Sequence, residues 1–184
     1  MTTLKGIKPG IDLSPVKIGL ALAISMLLMN IIMGILFGVC DEFFKNYIHS
    51  GMSLHPDLFP NAKKDSITMW KMVQRAHYHA GGIGAYVLGM VIITALTDMS
   101  YLRKKITSIL LGLSVFYPLA WLAMFFYAPV IGKKAAHSVL PVELLTHVGC
   151  GGLILGIISL LSWLFIPKKI IRQAIASDKK TKPK

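Results

Sequence analysis

The sequence predicts an all-α integral membrane protein, a four-helix bundle with a long outer-side cap loop between helices 1 and 2. Three observations predict it. Mean hydropathy is +0.63. Charged residues make up only 15% of the chain, against about 25% in soluble domains. Four runs, 18–40, 76–97, 106–132 and 144–167, contain no Lys, Arg, Asp or Glu, and each reaches the roughly 20 residues that a helix needs to cross lipid. An open sheet cannot satisfy its edges in hydrocarbon, so the runs are helical. A length of 184 residues fits one domain.

Helix 1 is expected over about 16–40. Its apolar stretch is too long for a signal peptide, and Phe37, Gly38 and Val39 before Cys40 make no small-x-small cleavage site. A retained helix is the expectation. Met26, Met29 and Met33 on it are read as core or lipid contacts, and Asn30 as a mid-membrane amide hydrogen-bonding across helices.

The 41–65 segment that follows is long for a loop and carries Phe43, Phe44, Tyr47, Met52, Leu58 and Phe59. Loops of this length are functional or disordered, and the aromatics favour a cap lying on the bundle or in the lipid interface. His49 and His55 within it are read as surface residues. Asp65-Ser66 resembles a helix start, so helix 2 is expected over about 66–98, beginning outside the membrane.

Helix 3 is expected over about 104–130, kinked near Ser114 because Pro118 has no N–H to donate there. Tyr117, Trp121, Phe125 and Phe126 on it could wall a haem or quinone slot. Pro141 suits the first turn of helix 4, expected over about 139–166, and Pro167 ends it. Residues 168–184 are expected to form a basic tail, frayed at its end.

The net charge of +12 would suggest nucleic acid in a soluble protein. Here the basic residues flank apolar runs and no nucleic-acid-binding pattern is present, so the bilayer, with its anionic lipid, is the expected partner. Lys5, Lys8, Lys17, Arg103, Lys104, Lys105 and the basic tail fall on one side. The other side mixes Lys45, Lys63, Lys64, Lys71, Arg75, Lys133 and Lys134 with four acidic residues of the 41–65 segment. The more basic side is expected to be cytoplasmic, with both termini, in a bacterial inner membrane. Cys40 and Cys150 lie in no zinc-ligand spacing. Both fall toward the outer side, where one disulfide is geometrically allowed, and Cys150 is read as an inert thiol.

Ionisable groups at membrane depth are costly and point to function. His77 and His79 lie near the outer end of helix 2, and Glu143 and His147 near the outer end of helix 4. Residues two apart on a helix face nearly opposite ways, so only one of His77 and His79 should face a shared site. Glu143 and His147, four apart, share a face. Each helix follows its histidines with glycine. His77, Gly81 and Gly84 form one stripe and His147 with Gly151 another, leaving room for a flat macrocycle.

A b-type haem (haem b) between one helix 2 histidine and His147 is the expectation, in an electron-transfer or redox protein with quinol as a plausible partner. The alternatives are a copper or zinc site built from His77, His79, Glu143 and His147, and an accessory subunit of a larger membrane complex or homo-oligomer in which these residues serve packing only. Gly152-x-x-x-Gly156 is a helix-packing motif of that kind. His137 is read as a solvated loop residue beside Lys133 and Lys134.

Overall fold

The structure, a computed structural model, describes residues 11–166. The basic tail and Pro167 lie outside the described residues. Seven helices follow in order: α1 Lys17–Val39, α2 Asp41–Leu54, α3 Ala62–Leu96, α4 Tyr101–Gly112, α5 Phe116–Ile131, α6 Lys133–His137 and α7 Leu140–Phe165. The segments Ser14–Val39, Ala62–Leu96, Tyr101–Ile131 and Leu140–Phe165 are each long and apolar enough to cross a membrane. The chain is therefore a multi-pass, all-α membrane protein.

The third span is broken. A 3-10 turn at Leu113–Val115 separates α4 from α5, one turn before Pro118. The ring of Pro118 leaves no N–H for the carbonyl of Ser114, so the regular ladder stops where the sequence predicts. A second proline, Pro129, sits near the outer end of α5. At the start of α7, Pro141 occupies the first turn, where its missing N–H costs nothing.

The long 41–65 segment is not an extended loop. Most of it is α2, whose Phe44, Ile48 and Met52 recur at helical spacing and are buried. Phe43 and Leu54 on the same helix remain exposed. That division marks a helix lying across one end of the bundle, called the outer end after the expected topology, with its apolar stripe turned toward the other helices. Gly51 lets it approach closely, since a Cβ there would come within 2.4 Å of the Pro129 side chain. The Tyr47 hydroxyl donates to the carbonyl of Phe126 at 2.7 Å.

α3 starts earlier than Asp65-Ser66 suggests. Asn61 caps it, accepting from the N–H of Lys64 at 3.1 Å. Asp65 bonds the Asn61 N–H and pairs with Lys133 of α6. The carboxylate that looks like a helix start is thus a buried tie between two elements.

The third span is the hub of the bundle. α1 packs along α3 and α4, α3 packs on α5, and α7 packs on α4 and α5, with no extensive α3–α7 seam. Close approaches rest on glycine. A Cβ on Gly19 of α1 would lie 2.2 Å from the carbonyl oxygen of Ser108. Gly152 and Gly156 of α7 press on Leu113 and Leu111, so the predicted packing motif does pack.

At the inner end, Arg103 donates to Ser162 Oγ at 2.9 Å and lies over the Trp163 ring at 4.7 Å. Lys104 donates to the carbonyl of Ala95 at 2.6 Å, closing the end of α3. The basic residues between the second and third spans therefore also cap helices.

Candidate functional site

The histidines of α3 face opposite ways, as residues two apart on a helix must. His77 turns to α1. Its Nδ1 lies 3.0 Å from the main-chain carbonyl of Asn30, and its ring packs edge-on against Phe37. The interhelical bond expected of the Asn30 amide is therefore made by the Asn30 backbone. The Asn30 side chain instead covers Gly81, where a Cβ would lie 2.6 Å from Oδ1. Gly84 is covered by Met26 and Leu27 of α1. The stripe of His77, Gly81 and Gly84, expected to leave room for a macrocycle, is filled by a neighbouring helix.

His79 turns to α5. It packs on Tyr117 at 4.9 Å and stacks on Trp121 at 6.1 Å between ring centroids. Neither of its ring nitrogens bonds another described residue. The guanidinium of Arg75, one turn earlier, lies 4.6 Å above the same Trp121 ring. One turn deeper than His79 stands Gly82, where an added Cβ would meet nothing within 4 Å.

α7 carries the other two candidates. Glu143 and His147 share one face, four residues apart, and both are exposed to the groove and its surroundings. His147 Nδ1 lies 2.7 Å from the carbonyl of Glu143. A carbonyl can only accept, so a proton is on Nδ1, and Nε2 is the nitrogen left to face a ligand. It is the backbone of Glu143, rather than its carboxylate, that orients His147. Gly151, one turn deeper, has open space beside it, whereas its neighbour Gly149 presses on the backbone of Tyr117.

A cavity of about 240 Å³ lies between α5, α6 and α7, and no α3 residue lines it. Tyr117, Trp121 and Met124 of α5 form its floor, and Glu143, Thr146 and His147 its α7 side. His137 of α6 closes the outer end, its ring 6.1 Å from Trp121 and perpendicular to it. His137 is exposed, as a loop residue would be, yet it lines the cavity.

The Nε1 of Trp121 is buried and has no hydrogen-bond partner, alone in this among the buried side-chain N and O atoms of the described residues. A buried N–H left unpaired costs about 1–3 kcal/mol, so the arrangement suits a ligand that offers an acceptor.

The structure thus brings His79 and His147 to one aromatic pair, with Gly151 open beside them, and leaves His77, Gly81 and Gly84 in the α1–α3 seam. Among the described residues, no three His, Cys, Asp or Glu side chains group closely enough to hold a metal ion. Cys40 and Cys150 are both free. Of the aromatic row on the third span, Tyr117 and Trp121 wall the cavity, while Phe125 is buried under α2 against Phe44 and Tyr47. His49 and His55 are exposed, as expected.

Sequence reasoning passed over Arg75, Gly82 and His137. Arg75 and Gly82 had a signal, since they lie four before and three after His79 and so share its face. His137 had none, because its place depends on α6.

Compared with known proteins, the chain matches no family model, no curated protein and no solved structure.

Proposed function

We propose that this chain is a membrane-embedded haem-binding redox or electron-transfer protein, with haem b held by His79 of α3 and His147 of α7. The observation that carries the proposal is that His79 packs on Tyr117 and Trp121 while His147 lines the cavity those two rings wall, each histidine followed one turn deeper by a glycine with open space beside it. The donor set suits iron, because a pair of imidazoles from two helices can hold a b-type haem. The cavity of about 240 Å³ falls below the usual range of about 300–1,000 Å³ for ligand pockets. A macrocycle therefore needs more room than this cavity gives, and the proposal takes it from the space beside Gly82 and Gly151, where an added Cβ would meet nothing within 4 Å.

Haem would supply one-electron redox chemistry. The protein's own part is orientation and exclusion. The Glu143 carbonyl fixes the tautomer and tilt of His147. Tyr117 and Trp121 hold the ring of His79. Met124 and Val142 keep the outer part of the cavity, toward His137, apolar. Lipid-soluble quinol is the proposed electron partner, since Leu144 and Val148 expose apolar surface on α7 beside the site. The copper or zinc alternative lacks comparable support, as its four proposed ligands do not converge.

The expected topology has both termini in the cytoplasm of a bacterial inner membrane and the histidine groove toward the outer face. A reporter that is active only in the cytoplasm, fused after Lys184, should be active; its silence beside an active outward-only reporter would invert the topology.

Purification from haem-replete cells tests the cofactor. The expected result is a Soret band that survives gel filtration. Protein that stays colourless after expression with haem and after haemin titration would remove the proposal, leaving a packing role for the histidines.

A further inference from the structure

The cavity between α5, α6 and α7 has walls of opposite hydrogen-bonding character. On α5, Trp121 lines it and carries a buried N–H with no partner. On α7, the Thr146 hydroxyl spends its proton on the carbonyl of Val142 at 2.8 Å, so toward a ligand it can only accept. Glu143 lines the same side and takes part in neither of the ion pairs of the described residues, Lys45–Asp41 and Lys133–Asp65. An ionised carboxylate also only accepts. One wall therefore offers a donor and the other offers acceptors.

A ligand that satisfies both must accept a hydrogen bond at one end, donate one at the other, and be flat and apolar between, where Tyr117 and Met124 lie. Volume sets its size. About 240 Å³ exceeds the roughly 150 Å³ that suffices for benzene, so the cavity holds one substituted six-membered ring. An organic cation would suit Glu143 and the aromatic faces but would bring no acceptor to the Trp121 N–H. A quinone ring, which only accepts, would satisfy Trp121 and leave Glu143 and Thr146 facing an oxygen without a proton. A ring with hydroxyls at opposite ends serves both walls, because a hydroxyl donates and accepts.

We propose that this cavity binds the headgroup of a quinol, with the Trp121 N–H donating to one ring oxygen and the opposite hydroxyl donating to Glu143. The role of that quinol as electron partner rests on the redox reading above. The site itself uses neither iron nor any residue of α3, and Trp121 and Glu143 act in it as binding residues.

The test compares tetramethylhydroquinone with its dimethyl ether, which can accept hydrogen bonds but not donate them. Each is titrated by calorimetry into the purified full-length chain in detergent, without oxygen and with reductant present, so that no electron transfer contributes heat. Wild type should bind the quinol on the order of tenfold more tightly than the ether, as expected for one hydrogen bond to a charged acceptor. Glu143 is exposed on α7, so Glu143→Ala leaves the core intact; it should bring the quinol down to the affinity of the ether and leave the ether unchanged. Trp121→Phe keeps an aromatic ring and removes the donor, so it should weaken quinol and ether alike, by several-fold. Equal affinity of wild type for the two compounds, or binding of neither, would overturn the proposal. A preference that survives Glu143→Ala would trace to the bulk of the methyl groups and would also overturn it. The Soret band of the same preparation separates this inference from the haem reading. Quinol binding as expected in a colourless protein would uphold the site and remove the haem, whereas a haem-loaded protein indifferent to quinol would do the reverse.

Discussion

α3 presents two histidine–glycine faces, and they meet opposite fates. On the α1 side, His77 bonds a backbone carbonyl, and Gly81 and Gly84 are covered by Asn30, Met26 and Leu27. On the α5 side, His79 has aromatic neighbours but no hydrogen-bond partner among the described residues, and Gly82 stands beside open space. α7 repeats the division within three residues: Gly149 is pressed on Tyr117, while Gly151 is open. A glycine beside a membrane histidine can admit a helix or leave a groove, and only the identity of the neighbour decides between them. The closed face is held by packing and a satisfied hydrogen bond. The open face keeps unused space and a histidine with no hydrogen-bond partner among the described residues, which is why the proposed site is placed there rather than in the seam.

The largest expected effect breaks this comparison at its histidines. His147→Ala and His79→Ala should each abolish or strongly change the haem spectrum while the protein still inserts, because iron loses a nitrogen that alanine cannot replace. His77→Ala should keep the spectrum, since that ring belongs to the α1 seam. Loss of haem from His77→Ala alone, with His79→Ala unaffected, would exchange the roles of the two faces. His137→Ala should retain haem as well, because His137 meets the cavity only at its outer end.

Much of this was legible in the sequence. The four spans follow from uncharged runs of sufficient length, and Pro118 predicted the break before α5. The opposed directions of His77 and His79, and the shared face of Glu143 and His147, follow from helical periodicity alone. What stayed hidden depends on which helices touch. The sequence does not show that the third span is the hub, so it could not tell that Gly81 faces Asn30 while Gly82 faces nothing. α2 was missed as a helix because its polar half, from Lys45 to Ser50, makes the segment read as a loop. Its stripe of Phe44, Ile48 and Met52 was the available signal.

The next effect in size sharpens the comparison on α7. Gly149→Ala places a Cβ 2.6 Å from the Tyr117 backbone nitrogen. Backbone cannot swing aside as a flexible side chain can, so α7 must shift, at a cost of about 1–3 kcal/mol for overpacking. Thermal unfolding in detergent should show a clear drop in midpoint. Gly151→Leu, two residues on, should leave that midpoint close to wild type and instead weaken haem uptake by filling the groove. If the two variants behave alike, the distinction between seam and groove on this helix is wrong.

The smallest expected effect concerns the cap. The Tyr47 hydroxyl of α2 donates to the carbonyl of Phe126 on α5, near Pro129, which has no N–H to give to that helix. Burial raises the pKa of Tyr47 above its ordinary value, so the hydroxyl remains a protonated donor through the neutral range. Tyr47→Phe keeps the ring against Phe125 and Phe126 and deletes only the hydrogen bond, a net loss of about 1 kcal/mol. Because α2 is also held by buried Phe44, Ile48 and Met52, it should stay docked, and the haem spectrum should not move. Hydrogen exchange should detect the change as faster exchange confined to α2, with α3 and α7 unaffected. Faster exchange reaching Tyr117 and Trp121 would mean that the cap and the groove form one cooperative unit, and that α2 helps to shape the site rather than merely covering the outer end of the bundle.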